Sequence, residues 1–229
     1  MFKRLHVVLL ALLAIGGCVG YQAHNGVPVY KTWDEGFGGR EWAIPGVDPG
    51  TFVALNKHYS KDRNQVYFEA KVIQDADPST FIVLSDQYAK DARHAYFEDR
   101  VVVDANSSSF RISKYDFAQD AADIFLHTTP LEVCDINTFR WLSDNWEMDS
   151  KCAYTRGRKL ESADPATFKA INYWYAKDNN RAFESIFAKS IEGADSESFE
   201  LDKGICEVCA HDKNRCYRYG KVVPCDTQK

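Results

Sequence analysis

The residues best able to do chemistry are four cysteines near the end of this 229-residue chain: Cys206, Cys209, Cys216 and Cys225. A Cys-x-x-Cys pair followed by further Cys or His, here His211, is typical of a zinc site. The pair alone is typical of a redox centre. Structural disulfides are favoured instead, because eight residues separate the second pair, where zinc sites use about two to four. No βαβ pattern of a thioredoxin-like fold surrounds the first pair.

The cysteine count also favours disulfides. Of seven cysteines, Cys18 lies in an N-terminal segment treated below. The six others are Cys134, Cys152, Cys206, Cys209, Cys216 and Cys225. An even set in an oxidising compartment predicts three disulfides. A bridge between Cys134 and Cys152 would close a loop contributing about 3 kcal/mol, and by analogy Cys206 or Cys216 would pair with Cys225.

Aspartates recur in register and raise the question of a calcium or cation site. They stand 29 residues apart, at Asp62, Asp91, Asp120, Asp149 and Asp178. Calcium loops need several carboxylates within one short loop, as in Asp-x-Asp-x-Asp-Gly, and no such loop occurs in this sequence. Aspartate also suits hairpin turns, because its side chain accepts hydrogen bonds from the backbone ahead of it. The pattern therefore predicts turns rather than metal sites.

Other catalytic signatures are missing from the sequence. The histidines share no metal spacing, and no Gly-x-Ser-x-Gly elbow, His-Glu-x-x-His or phosphate loop occurs. We therefore expect a protein that is not an enzyme and needs no cofactor. Recurring aromatic residues are expected mostly in the core. Trp141 and Trp174 depart from the recurring pattern and are the best candidates for a binding face, with a core position as the alternative.

These residues are positioned by an internal repeat. An aromatic marker recurs every 29 residues, at Phe52, Phe81, Phe110, Phe139 and Phe168, and Phe199 follows 31 residues later. Within each period, polar clusters such as residues 90–93 separate short β-prone runs, as in hairpins. A unit of this size cannot bury its own apolar face, so neighbours must stack. We predict an all-β fold of tandem repeats, each with two or three short strands, stacked into a solenoid-like or propeller-like array.

The repeated segments resemble a known family. Residues 88–97 (YAKDARHAYF) are similar to the Tyr-x-Lys-Asp-Lys-Asn-x-x-Tyr-Tyr pattern of the DKNYY family of bacterial repeat proteins. The pattern recurs at residues 59–68, 175–183 and 211–217, and the third and fourth repeats lack its lysine before the aspartate, with Gln119 and Met148 in that place. The resemblance covers about residues 47–223. It implies exported, often lipid-anchored proteins of unknown role, without catalytic residues.

The N-terminus predicts export. Lys3 and Arg4 precede nine apolar residues, Val7–Ile15, too few to span a bilayer, which needs about 20. The following Gly16-Gly17-Cys18 resembles a bacterial lipobox. That resemblance implies cleavage after Gly17 and acylation of Cys18, which would anchor the protein in a membrane; an ordinary signal peptide is the alternative. By resemblance to enterobacterial lipoproteins, Val19 rather than Asp after Cys18 implies an outer-membrane location facing the periplasm.

Charge and segment boundaries narrow the expectations further. Removing Lys3 and Arg4 from the 28 basic residues leaves 26 against 33 acidic ones, a formal charge of −7, which disfavours nucleic acid as a partner. We predict a signal peptide over 1–17, a lipid-anchored tether and degenerate cap over 18–46, and a repeat domain with a cysteine-rich cap over 47–229. Tyr30 and Ile44 fall at positions in phase with the repeats that follow, as expected of a degenerate repeat. The glycines at 36–39 predict an irregular loop. Residues 19–25 are expected to form a tether to the lipid anchor.

The function expected from these features is non-enzymatic binding of a protein partner in the cell envelope. A specific version is an immunity lipoprotein that neutralises an exported antibacterial toxin. The alternative is binding of envelope carbohydrate or peptidoglycan through exposed aromatic residues. A third hypothesis, a hydrolase, would require a concave pocket with clustered carboxylates of perturbed pKa.

Overall fold

The computed structural model describes residues 19–202, 206 and 208–225. These residues form small antiparallel sheets that recur along the chain, so the predicted all-β fold of tandem repeats is confirmed. The described helical segment, η1 (Ile136–Thr138), is a single 3₁₀ turn. Its N-cap, Asp135, accepts a hydrogen bond from the backbone N–H of Asn137 at 3.1 Å, as expected for an aspartate at the start of a turn.

The first sheet precedes the repeats. It contains β1 (Gly20–His24), β2 (Val27–Asp34) and β3 (Gly38–Ala43) in chain order. The predicted tether over 19–25 and the predicted irregular loop at 36–39 are therefore wrong. β1 pairs with β2 over five residues, and residues 35–37 form a tight turn between β2 and β3. The in-phase residues Tyr30 and Ile44 are buried and pack against Tyr67 of the first repeat, as expected of a cap.

Each of the six repeats contributes four short strands. The first has β4 (Val53–Ala54), β5 (Tyr59–Lys61), β6 (Val66–Phe68) and β7 (Lys71–Val72). The second has β8 (Ile82–Val83), β9 (Tyr88–Lys90), β10 (Ala95–Phe97) and β11 (Arg100–Val101). The third has β12 (Arg111–Ile112), β13 (Phe117–Gln119), β14 (Ile124–Leu126) and β15 (Thr129–Pro130).

The last three repeats follow the same plan. The fourth has β16 (Arg140–Trp141), β17 (Trp146–Met148), β18 (Ala153–Thr155) and β19 (Arg158–Lys159). The fifth has β20 (Lys169–Ala170), β21 (Tyr175–Lys177), β22 (Ala182–Glu184) and β23 (Lys189–Ser190). The sixth has β24 (Glu200–Leu201), β25 (Cys209–His211), β26 (Cys216–Arg218) and β27 (Lys221–Val223).

The four strands pair antiparallel in chain order, as the second repeat shows. Ile82 pairs with Lys90 across β8 and β9. Tyr96 pairs with Ala89 on one side and with Val101 on the other. The meander was predicted, but with two or three strands. The outer strands have two residues each, or three in β27, and are too short to leave a periodic signal in the sequence.

The chain divides into two compact units. Among the described residues, the first unit comprises 19–121 and His127–Thr129, and the second comprises Ala122–Leu126 and the described residues from Pro130 onward. In the first unit, the marker Phe81 lies between Tyr59 of the preceding repeat and Tyr96 of its own, with ring centroids 5.7 Å apart on both sides. Equivalent rings form the core of the second unit, so the marker aromatic fills the space between stacked repeats.

Candidate functional site

The hairpin between the second and third strands of a repeat is built on a buried aspartate. Asp91 Oδ1 accepts hydrogen bonds from the backbone N–H groups of Arg93 and His94, both at 2.7 Å. Its Oδ2 accepts from the Tyr96 hydroxyl at 2.8 Å and from the backbone N–H of Asp77 at 2.9 Å. The carboxylate therefore fixes its own turn and ties it to the Asp-Pro turn 14 residues earlier.

The same arrangement recurs at Asp62, Asp149 and Asp212. Burial alone would raise the pKa of these carboxyls. The hydrogen bonds that the ionised oxygens accept outweigh burial, so the pKa of each lies below its ordinary value, as it does for Asp91. The prediction of turn chemistry is confirmed. Within the described ranges, no group of three or more His, Cys, Asp or Glu is placed to hold a metal ion.

The lysine of the repeated pattern joins one repeat to the next. Lys90 Nζ donates to the backbone carbonyls of Ser107 and Phe110, both at 3.0 Å. Lys61 and Lys177 donate in the same way to carbonyls in the turn of the repeat that follows each of them. These three lysine ammonium groups therefore hold consecutive repeats together.

The aromatic residue that begins the second strand makes a second link between repeats. The Tyr59 hydroxyl donates to the Gln87 carbonyl at 2.5 Å. The Tyr175 hydroxyl donates to the Val208 carbonyl at 2.7 Å. Both rings are fully buried. These recurring residues thus hold neighbouring repeats together, and the sequence could not assign their partners because the partners belong to the neighbouring repeat.

An open depression of about 540 Å³ lies where the first two repeats meet. Its lining includes Lys61, Asp62 and Asp77. The hydroxyl groups of Ser79 and Thr80 donate to Asp77, and these bonds hold the pKa of Asp77 below its ordinary value. Both carboxylates are thus fixed in their ionised form by turn hydrogen bonds. Neither has the raised pKa that a general acid needs, so this depression does not support the hydrolase hypothesis.

All six cysteines expected to pair do so. Cys134 bonds to Cys152, as predicted, with their Cα atoms 6.0 Å apart. Cys225 pairs with Cys216, one of the two expected partners, and Cys206 pairs with Cys209 within the Cys-x-x-Cys segment. Sulfurs bonded to each other are not thiolate ligands for zinc. Two of the three bridges lie in the sixth repeat. The predicted lipidation site, Cys18, lies outside the described residues.

The two tryptophans predicted to form a binding face take different positions in the repeat. Trp141 is half-buried on β16, and its ring meets that of Phe139 edge-on at 5.3 Å. Trp174 is half-buried just before β21, in edge-on contact with Tyr173 at 4.9 Å and with Tyr219 at 5.6 Å. Tyr173 and Tyr219 are exposed. The aromatic cluster of Tyr173, Trp174 and Tyr219 is therefore a surface feature of the second unit.

A second group of exposed aromatics was missed because its segment was expected to be irregular. Trp33 is 56% exposed, Phe37 75% and Trp42 48%. Trp33 and Phe37 lie beside and on the turn of the β2–β3 hairpin, whereas Trp42 lies farther along β3. The Arg40 guanidinium lies 5.0 Å from the centroid of the Phe37 ring. The glycines suggested a loop, but here they flank a regular two-stranded hairpin.

Glu147 is a buried carboxyl that the sequence analysis did not single out. The register places it between Trp141 and Tyr154 on neighbouring strands, and it is fully buried. Burial raises its pKa to about 8; the backbone N–H groups of Arg156 and Gly157 lower it only in part, and neither carboxylate oxygen has a hydrogen bond of normal geometry. The signal was present in the sequence, since the equivalent positions elsewhere hold Ser60, Ala89, Ala118, Ala176 and Ala210.

Comparison with known proteins agrees with the repeat pattern. The model of the DKNYY family matches residues 29–85 and 72–186. The match begins within β2, so it includes most of the segment predicted as a degenerate cap. No curated protein and no solved structure matches the chain. In the part of the chain that the structure describes, no helix has the length and apolar character needed to cross a membrane. The family match spans more than half of the sequence, and the chain is a member of the DKNYY family.

Proposed function

We propose that this chain is a lipid-anchored, non-enzymatic binding module of the bacterial cell envelope and that its partner is a protein. The basic start, short apolar run and Gly-Gly-Cys18 sequence support export and anchoring. Three disulfides support an oxidising compartment. The recurring Asp, Lys and Tyr side chains form hydrogen bonds that hold each repeat and its neighbour together. Binding is therefore left to residues that vary between repeats.

One position carries this proposal. The residue after each marker phenylalanine begins the first strand of its repeat and is exposed in every repeat: Val53, Ile82, Arg111, Arg140, Lys169 and Glu200. The backbone there keeps the same pairing with the second strand, as in Val53 with Lys61 and Ile82 with Lys90. A fixed backbone position that presents apolar, cationic and anionic side chains in turn suits a binding surface, as in other repeat arrays.

In the second unit, two of the repeats carry a cation at the first position of the first strand. Arg140 and Lys169 occupy it in consecutive repeats, and Trp141 follows Arg140 on the same strand. We call Arg140, Trp141 and Lys169 the first-strand strip. Exposed cations beside an aromatic ring favour an acidic protein surface with a hydrophobic anchor point.

The test is co-purification from solubilised membranes of the native host. A double variant, Arg140→Glu with Lys169→Glu, reverses the charge of the strip. Lys159→Glu is the matched control, because Lys159 is exposed on β19, the opposite edge strand of the fourth sheet. We expect the partner to be lost only with the double variant. If no protein co-purifies with the wild type, the protein-partner proposal is wrong.

The immunity-lipoprotein hypothesis requires a separate test of cell survival. An immunity lipoprotein must protect its producer, so this version requires a toxin gene beside this one and a deletion strain that dies on exposure to that toxin. Complementation with the wild type should restore survival, and the strip double variant should not. Unchanged survival of the deletion strain would remove this version while leaving the binding proposal intact.

The Tyr173–Trp174–Tyr219 cluster favours a second candidate function, binding of envelope carbohydrate. Exposed rings in edge-on contact offer the apolar faces on which sugar rings stack. Retention on purified cell wall should fall for Trp174→Ala combined with Tyr219→Ala. Phe187→Ala is the control, an exposed ring elsewhere in the same unit. Equal retention of all the proteins would exclude the cluster as a glycan site.

A further inference from the structure

The turn of the β2–β3 hairpin is the most apolar exposed feature of the first sheet. Trp33 and Phe37 are both more than half exposed, and Arg40 lies beside the Phe37 ring. Asp34 shapes the turn: its Oδ1 accepts from the backbone N–H groups of Gly36 and Phe37 at 2.8 and 3.0 Å. The exposed ring of Phe37 is therefore held on an ordered turn. We call residues 33–40 the hairpin tip.

The strand register places the hairpin tip at a particular end of the sheet. Gly20, the first residue of β1, pairs with Lys31 of β2. β2 continues beyond this pair through Thr32 and Trp33, which pair only with β3. Because β1 runs antiparallel to β2, the chain preceding Gly20 leaves the sheet at the same end as the hairpin tip.

The residue expected to carry lipid is two positions before Gly20. Cys18 precedes Gly20 by two residues, and two residues of chain span at most about 7 Å. Trp33 is likewise two residues beyond the partner of Gly20, about 7 Å along the strand. An acyl anchor at Cys18 would therefore bring the membrane surface to the end of the sheet that carries the hairpin tip.

The side chains of the hairpin tip suit a membrane surface. Tryptophan is enriched at lipid–water interfaces, where an apolar ring meets a polar group. An arginine can lay its aliphatic stem along apolar groups while its guanidinium binds phosphate. Asp34 and Glu35 offset Arg40, so the tip has no excess of positive charge and does not depend on anionic lipid.

We propose that the hairpin tip inserts Trp33 and Phe37 into the headgroup region of the membrane that holds the Cys18 lipid. This inference rests on the lipid anchor of the proposed function and adds a second, non-covalent contact. Acyl chains alone would allow the protein to swivel about Cys18. A second contact fixes the orientation of the first sheet, and with it the direction in which the first repeats face.

The experiment uses the full chain, expressed with its own N-terminus, purified in detergent and reconstituted into phosphatidylcholine vesicles. Some of the lipid chains carry bromine, which quenches nearby tryptophan fluorescence. We expect clear quenching of the wild type and at least a twofold smaller quenched signal in Trp33→Phe. Trp42→Phe is the matched control: Trp42 is exposed on the same sheet but pairs with Tyr30, three residues from Trp33 and about 10 Å farther from the tip. Its loss should reduce quenching much less.

A second variant separates insertion from mere proximity. Phe37→Glu adds a charge at the tip without touching the core, so circular dichroism should be unchanged. It should lower the quenching of Trp33, because the charged tip withdraws from the lipid. Equal quenching in wild type, Trp33→Phe and Phe37→Glu would overturn the proposal. So would a Phe37→Glu protein that keeps its quenching but loses a co-purified protein or a cross-linked dimer, since the tip would then be a protein-docking site.

Mass spectrometry of the purified protein keeps this result distinct from the proposed function. If Cys18 is acylated and the tip is not quenched, the anchor stands and only the insertion proposal fails. If Cys18 carries no acyl group, the lipid anchor fails and the insertion proposal fails with it. The binding surface of the repeats is tested independently by co-purification.

Discussion

Replacing Glu147 by glutamine removes a charge from the least favourable position that we find in the described core. The side chain keeps its size, so packing between Trp141 and Tyr154 is preserved. What changes is ionisation: glutamine stays neutral at every pH. Alanine, the residue at most equivalent positions, would also remove the charge but would leave a cavity.

The magnitude follows from the raised pKa. The pKa of Glu147 rises from an ordinary 4.5 to about 8 in the folded protein. Between these values the folded chain holds a proton that the unfolded chain releases, so wild-type stability falls as pH rises through this window. Each pKa unit corresponds to about 1.4 kcal/mol, which gives an upper limit of about 5 kcal/mol at pH 8 and above. Relaxation around the charge reduces this value, and we expect Glu147→Gln to gain more than about 1 kcal/mol there.

Urea unfolding at pH 5, 7 and 8.5, followed by circular dichroism with the disulfides intact, measures this difference. Glu147→Gln and wild type should unfold at similar urea concentrations at pH 5 and diverge at pH 8.5, with the variant more stable. Glu161→Gln, at an exposed position of the same repeat, is the control and should show no pH-dependent difference. A Glu147→Gln difference that stays constant from pH 5 to pH 8.5 would refute the reasoning, since it would mean that Glu147 ionises normally.

Three further substitutions test the hydrogen bonds and the disulfide that stabilise individual repeats. Asp91→Asn should lower the free energy of unfolding by about 1.5–3 kcal/mol at neutral pH, measured by urea unfolding. The pKa of Asp91 in the folded protein lies below its ordinary 3.8. The difference from wild type should therefore shrink as the pH falls below 3.8 and the wild-type carboxylate becomes protonated. Phe183→Tyr should supply Asp178 with the hydroxyl donor that tyrosine provides in other repeats, and should raise stability by about 1 kcal/mol in a thermal melt. Replacing Cys134 and Cys152 by serine should cost about 3 kcal/mol, measured by thermal melting without reductant.

The changes at Asp91 and Phe183 each have a matched control at an exposed site. Asp144→Asn and Phe187→Tyr repeat the same chemistry on the surface and should leave stability within about 0.5 kcal/mol of wild type. An Asp91→Asn protein as stable as Asp144→Asn would show that the four hydrogen bonds contribute nothing. A destabilised Phe183→Tyr protein would mean that the hydroxyl finds no acceptor beside Asp178.

The period, the all-β class and the turn role of the aspartates could be predicted from sequence because each depends on local spacing. Asp91 bonds to residues two and three positions ahead of it, within the segment whose composition predicted a hairpin. The bridge between Cys134 and Cys152 was also predictable, since both cysteines lie in one repeat.

Features that depend on a neighbouring strand or repeat were not predictable in the same way. The partners of Lys90 are carbonyls 17 and 20 residues ahead, and nothing in the lysine itself indicates which carbonyls those are. The β2–β3 hairpin was hidden by glycines that also occur in irregular loops. Glu147 is buried because β17 lies between β16 and β18, and this strand order depends on pairing with neighbouring strands.

The fourth repeat departs furthest from the frame, and its departures are connected. Its second strand, β17, reads Trp-Glu-Met where β9 and β21 read Tyr-Ala-Lys. Met148 lacks the ammonium group that elsewhere reaches the next repeat, although Trp146 Nε1 keeps one such link to the Asn172 carbonyl at 2.7 Å. Glu147 adds a cost at neutral and higher pH. The internal disulfide lies in this same repeat, and its contribution of about 3 kcal/mol is of the same order as that cost. The cross-link therefore offsets stability that the fourth repeat loses at these positions, whereas the other two disulfides lie in the sixth repeat.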